Sequence, residues 1–325
     1  MRQVYLDHAS RITPLPEVRE AMAPYVSGDF GNPSSLHALG RRSARALDEA
    51  RDKVAALIGA KRDEIIFTSC GTEANNLAIK GLAAAHAKKG NHVIVSSIEH
   101  FSVLYAARRL EKSGFSVTHL PVDRYGCVDP ESLHKSIRPE TVLVSVMHAN
   151  GEVGTVEPIQ ELSRITKEKD ILFHTDAVAS CGAVPMDVET LGVDALTLAA
   201  DQFYGPQGAS ALYLRKGTSI FPMLDGGGQE EGRRSGTETL PAIVGMGKAA
   251  EIAKNRIVAW RRHLIPHRDR LIEGLLHLDG VYLNGHPTER LPGHVSVSVT
   301  GLEGESLLLA LDMKGICVGL GSACN

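Results

Sequence analysis

Aromatic side chains are scarce in this sequence, 5% of it with a single tryptophan, and cysteine is scarcer still, five residues in 325. Cys70, Cys127, Cys181, Cys317 and Cys324 form no C-x-x-C pair. That spacing excludes a disulfide-stapled scaffold or a zinc ribbon and fits a reducing, cytoplasmic setting. Charge of one sign is lacking too. Lys+Arg 35 against Asp+Glu 38 gives a formal value of -3, so no positive field exists to hold a nucleic-acid backbone. No run approaches the roughly 18 apolar residues of a membrane span, and Asp7 interrupts the start before an apolar signal segment forms. The remaining composition, 43% hydrophobic and 22% charged, is that of a soluble globular enzyme long enough for two domains.

Short β-branched runs alternate with helical patterns. Ile65-Ile66-Phe67 precedes a helix from Thr72, Val93-Ile94-Val95 one over 101–112, Val142 to Val146 one over 159–167, and Ile171-Leu172-Phe173 follows. Such alternation predicts an α/β fold with a large, mixed but mostly parallel sheet. A helix over 35–58, stopped at Gly59, packs on that sheet. A long helical stretch from Leu240 towards Leu278 then leads to Val281-Tyr282-Leu283 and the alternating 295–299, the material of a smaller α+β unit.

Several residues fall where ligands meet open sheets. Phe67 to Glu73 is a strand running through Gly71 and Thr72 into a helix, where free N–H groups and the helix dipole favour an anion, although such a turn is more often structural. Asp176 ends a buried strand, placed either to face a ligand or to cap the next turn. His100 also follows a strand. Gly226-Gly227-Gly228 and Arg233 to Thr237 read equally as a flexible anion-binding loop or a solvated turn.

Tyr5 to Ala9, Phe30 to His37, Thr68 to Leu77, Ser97 to His100, Met147 to Asn150, Tyr204-Gly205-Pro206, Arg233 to Thr237 and Gly321 to Cys324, in this order, resemble the cysteine desulfurases of the NifS/IscS type. These belong to the class V aminotransferase group of fold-type I pyridoxal phosphate (PLP) enzymes, which are aspartate aminotransferase-like. The resemblance implies a large PLP-transferase-like domain over 13–258, a smaller domain from 1–12 and 259–325, and a homodimer. In it Thr237 reaches the neighbouring subunit's cofactor phosphate. It further implies that Gly71 and Thr72 bind phosphate, His100 stacks on the cofactor ring, Asp176 pairs with the pyridine nitrogen, and Cys324 attacks substrate sulfur.

Departures from the family pattern are equally specific. Where the family reads Ser-x-His-Lys, with the lysine as Schiff base, this chain reads Ala199-Ala200-Asp201-Gln202. An amide nitrogen has no free lone pair, so Gln202 cannot form an aldimine or shuttle a proton. The family's Asn and Gln that bond the cofactor's phenolic oxygen are replaced by Gly151 and Ala179, and Ala9 to Ile12 is altered near the substrate entrance. Sequence therefore predicts no covalent PLP, at most weak non-covalent PLP, and no firm metal site. The retained Cys324 would serve sulfur transfer or iron–sulfur cluster assembly, as a sulfur carrier, a cluster ligand or a docking thiol for a scaffold or acceptor protein. One alternative is an active desulfurase or lyase using another lysine, such as Lys80 or Lys216, or non-covalent PLP. Another is a non-catalytic dimer partner of an active paralogue.

Overall fold

The computed structural model describes residues 3–28 and 31–321. The chain begins with β1 (Val4–Tyr5), α1 (Pro16–Ser27) and α2 (Ala38–Leu57). Strand β2 (Ile65–Thr68) runs into α3 (Gly71–Asn76), which continues through a π turn (Leu77–Gly81) into α4 (Leu82–Ala85). Then come β3 (His92–Ser96), α5 (Phe101–Glu111), β4 (Ser116–Leu120), α6 (Pro130–Ser136), β5 (Thr141–Ser145), α7 (Ile159–Lys167), β6 (Leu172–Asp176), α8 (Val188–Leu191), β7 (Ala195–Ala199) and β8 (Ser210–Leu214). The long α9 (Leu240–Leu276) leads to β9 (Val281–Leu283), β10 (Val297–Val299), α10 (Gly304–Asp312) and β11 (Ile316–Cys317).

Seven strands make one sheet in the order β2-β8-β7-β6-β5-β3-β4. Only β8 runs against its neighbours, so the other six end at one edge. The apolar runs are continuous because both faces are covered. Ile65 and Phe67 enter the core under α2 and α9 while Ile66 enters the core under α3 and α5; Ile94 faces the first core and Val93 and Val95 the second. This alternation with period two divides one run between two cores. Helix α2 starts where His37 accepts from Gly40 N, and just beyond its end Gly59 adopts φ 70°, a left-handed turn that suits glycine.

Helix α9 passes without interruption through residue 258, where the sequence reading divides the domains. Its first half is buried in the core and its second half is largely exposed, with Pro266 inside it. β9 and β10 pair antiparallel, and β1 pairs in parallel with β11, joining the two ends of the chain. Residues 286–294 also grip the loop after β5. Leu291 N donates to Gly154 O at 2.8 Å, Arg290 Nη2 to Val153 O at 3.1 Å, and His294 Nε2 lies 2.8 Å from Gly151 O. Among the described residues, no helix is long and apolar enough to cross a membrane.

Candidate pocket at the sheet edge

Strand direction brings the candidate residues together. Gly71 and Thr72 follow β2, His100 follows β3, Gly151 follows β5, Asp176 closes β6, and Asp201 and Gln202 follow β7, all at one edge of the sheet. In open α/β sheets that edge is where ligands bind. A Cβ built on Gly71 would lie 3.0 Å from Val178 and 3.8 Å from the Ala199 Cβ, and one on Gly151 would lie 3.6 Å from the Ala179 Cβ. Four strand-end turns thus meet at one place.

On the inner wall Asp176 is buried and doubly bonded. Its Oδ1 accepts from Val178 N at 2.9 Å, so it does cap the following turn, and its Oδ2 accepts from Asn75 Nδ2 at 2.6 Å. Burial pushes this carboxyl up, while the Val178 and Asn75 bonds and His100 act the other way. Asn75 Nδ2 also donates to Ser102 Oγ at 2.8 Å, and that oxygen lies 2.7 Å from His100 Nδ1. Ser102 N donates to the same ring nitrogen at 3.2 Å. A backbone N–H can only donate, so His100 Nδ1 accepts, and the neutral ring carries its proton on Nε2. Asn75 and Ser102 escape a sequence reading because nothing in their local pattern marks the contact.

Beneath this wall sits buried Glu99. Its Oε1 accepts from Ser96 Oγ at 2.6 Å and from Met147 N at 2.7 Å, while Oε2 has no hydrogen-bond partner among the described residues. Burial, reinforced by Asp176 and Glu157, pushes its carboxyl up to about 8. Burial also pushes His148 down to about 4 and His174 to about 3, the latter held between Ser145 Oγ and Thr197 Oγ1 at 2.9 and 3.1 Å. At neutral pH the pocket rests on a largely uncharged polar layer.

The β7 side differs. Ala199 is buried and offers no donor. Asp201 and Gln202 are half-buried, and among the described residues neither side chain makes a hydrogen bond or ion pair to another residue. Burial pushes the Asp201 carboxyl up, opposed by its own backbone N–H and by the charge of Arg11. Arg11 reaches this side because Leu15 N donates to Tyr204 O at 3.2 Å, and Tyr5 Oη bonds the Arg11 carbonyl at 3.1 Å. Tyr204, at φ 65°, turns the chain sharply after Gln202; its ring meets Trp260 at 4.9 Å.

The structure corrects two expectations. Lys216 stands beyond the far end of antiparallel β8, paired with Asp63 at 2.9 Å, on the opposite edge of the sheet. Lys80 lies in the π turn. Counting from Thr72 at roughly 1.5 Å per residue, it sits about 12 Å along a helix that leads away from the pocket. Neither alternative lysine is at the site. The loop over 226–237 is likewise no open anion cradle, because carboxylates occupy its guanidinium groups. Arg234 Nε bonds Glu73 Oε1 at 2.7 Å, Arg233 meets Glu231 at 3.1 Å, and Arg51 grips Glu230 through two bonds of 2.7 and 2.6 Å while Phe67 N donates to Glu230 at 2.9 Å. Thr237 is exposed at the end of this loop. Cys324 lies outside the described residues.

The model of the class-V aminotransferase family matches residues 4–325. The chain belongs to that family. Within it, 52% of 325 residues are identical to "Cysteine desulfurase IscS" of Dictyoglomus turgidum, covering 100% of this chain and 82% of the relative. A second "Cysteine desulfurase IscS", from Methanosarcina thermophila, is 52% identical over 324 residues, covering 100% of this chain and 80% of the relative. The solved structure of a "NIFS-LIKE PROTEIN" superimposes with TM-score 0.94 at 38% identity, covering 97% of this chain and 87% of that one. The IscS/NifS branch of the family and its fold-type I architecture, the fold of PLP enzymes, are thereby shown.

Proposed function

We propose that this chain acts in sulfur transfer or iron–sulfur cluster assembly, as a cysteine desulfurase-like protein of the IscS type. The observation that carries the proposal is 52% identity along the whole chain to proteins named cysteine desulfurase. PLP is the cofactor that this family implies. A finer reading concerns whether the pocket still uses it covalently. Gln202 stands where the resemblance places the Schiff-base lysine, and Ala199, Gly151 and Ala179 supply no bonds to phosphate or phenolic oxygen. Asp201, half-buried beside them, would set a carboxylate near a dianionic phosphate. Thr72, His100 and Asp176 keep their places, but without an amine these residues do not fit a covalently held PLP, and no step is derived through it.

On this reading Cys324 is the working group. Its thiolate would take the outer sulfur of a donor protein's persulfide, releasing the donor thiol and becoming a persulfide itself, for delivery to a scaffold or acceptor. A homodimer, with Thr237 turned towards the neighbouring subunit, belongs to the same proposal. The second reading is an active, PLP-dependent cysteine desulfurase. The relatives favour it over loss of PLP chemistry, since they are named cysteine desulfurases.

One experiment separates the two. Purified protein is scanned in the visible range before and after addition of PLP, reduced with borohydride, digested and searched for pyridoxyl-lysine, while sulfide release from L-cysteine is measured in parallel. No pyridoxyl-lysine and no sulfide is the expected result. A yellow, reducible adduct with sulfide release establishes the active enzyme instead.

A further inference from the structure

We propose that His263 and His267 form a two-point clamp for a divalent ion of the zinc or nickel kind, and that the bound ion braces helix α9 across Pro266. Of the 14 histidines in the chain, only these two stand four residues apart. That spacing puts both rings on one face of a helix, one turn from each other. Both residues are exposed, with ring centroids 4.5 Å apart and ring planes inclined at 44°. His267 Nδ1 lies 2.7 Å from the His263 carbonyl oxygen. A carbonyl can only accept, so Nδ1 carries the hydrogen and Nε2 of the neutral ring keeps its lone pair for a metal. Metal-binding histidines are commonly oriented in this way, by a bond from the other ring nitrogen to a backbone carbonyl. Among the described residues, the His263 ring makes no hydrogen bond to another residue.

The surroundings select the kind of ion. Among the described residues, no three His, Cys, Asp or Glu side chains come together as a metal site, so the clamp supplies two nitrogen ligands and leaves the remaining positions to water. Asp269, the nearest carboxylate along the chain, is held by Arg268 at 2.7 Å, while Arg262 precedes the pair and Arg270 lies one turn beyond it. Magnesium and calcium need oxygen ligands, which this setting lacks, whereas zinc and nickel bind imidazole nitrogen well. Pro266 falls inside the clamped turn. It has no N–H to give the Arg262 carbonyl, and the helix is weakest there. An ion held from both 263 and 267 spans that gap and ties the projecting part of α9 to the part rooted in the core.

The whole protein is stripped of metal with a chelator and titrated calorimetrically with nickel(II), because zinc(II) is also drawn to thiols. His263→Ala and His267→Ala are titrated beside it, and circular dichroism confirms that each is folded. Each variant should lose one nickel(II) or hold it roughly tenfold more weakly, and excess magnesium(II) should not compete. Hydrogen exchange reads the brace. Nickel(II) at about ten times its dissociation constant should slow the amides of 267–276 by about threefold to tenfold in the wild type and leave both variants unchanged. Affinities within about twofold in the wild type and both variants, or displacement by magnesium(II), would mean an adventitious ion only and overturn the site. Loss in one variant alone would overturn the two-point geometry, and binding without slowed exchange would overturn the brace.

Discussion

Along β2 Arg51 meets Glu230 and Arg234 meets Glu73, whereas beyond β7, among the described residues, the side chains of Arg11, Asp201 and Gln202 bond to no neighbouring side chain. Both sides flank strands of one sheet and both carry charge. The difference lies in what the charge is for. Paired and buried, as at Glu230, it fastens a loop to the sheet; unpaired and half-solvated, as at Asp201, it costs stability that a ligand can return.

The largest expected effect breaks the fastened side. Glu230→Ala leaves the Arg51 guanidinium buried without its partner and Phe67 N without its acceptor, and should cost about 3–5 kcal/mol by chemical denaturation. Glu99→Gln tests the uncharged layer below. The folded-state pKa of Glu99, about 8, lies above its ordinary 4.5. Its contribution is therefore full below pH 4.5 and is lost as pH rises through about 8. The glutamine variant should flatten the stability–pH curve across that window and gain of order 1–3 kcal/mol above it.

Smaller effects sharpen the contrast. Glu73→Gln removes the charge that holds Arg234 and should cost about 1–2 kcal/mol in the same assay. Asp201→Asn should move the other way. Burial raises its carboxyl, so the carboxylate weakens the fold at neutral pH, and the neutral amide should stabilise by less than about 1 kcal/mol after solvent screening, a gain that fades as pH falls through the native pKa. At the low end, Lys135→Ala breaks an exposed i,i+4 pair with Glu131 and should shift stability by no more than about 0.5 kcal/mol.

Much of the sheet was legible in the sequence because a strand buried on both faces is a dense β-branched run, as at Val93 to Val95 or Val142 to Val144. β4 escaped because Ser116, Thr118 and His119 dilute its apolar pattern at the sheet's edge, and β8 because Ser210-Ala211 looks like loop until paired. The pairing of β1 with β11 joins the two ends of the chain and leaves no local trace. At the site, Asp176, His100 and Gly71 were legible as strand-end residues. The bonds through Asn75 and Ser102 and the distance of Lys80 and Lys216 from the strand-end turns are tertiary facts, set by helix direction and chain crossing.

The grip of residues 286–294 on the loop after β5 gives the molecule a mechanical linkage. Helix α9 is anchored in the core by its first half, and Pro266 removes a backbone N–H from its projecting half, where a helix bends most easily. The eleven residues from Pro266 to Leu276 span ten rises, an arm of roughly 15 Å, so a ten-degree flexure there would move its tip by about 3 Å. Because His294 and Leu291 are tied to Gly151 and Gly154, such travel, passed along the chain through 277–285, would pull on the loop after β5.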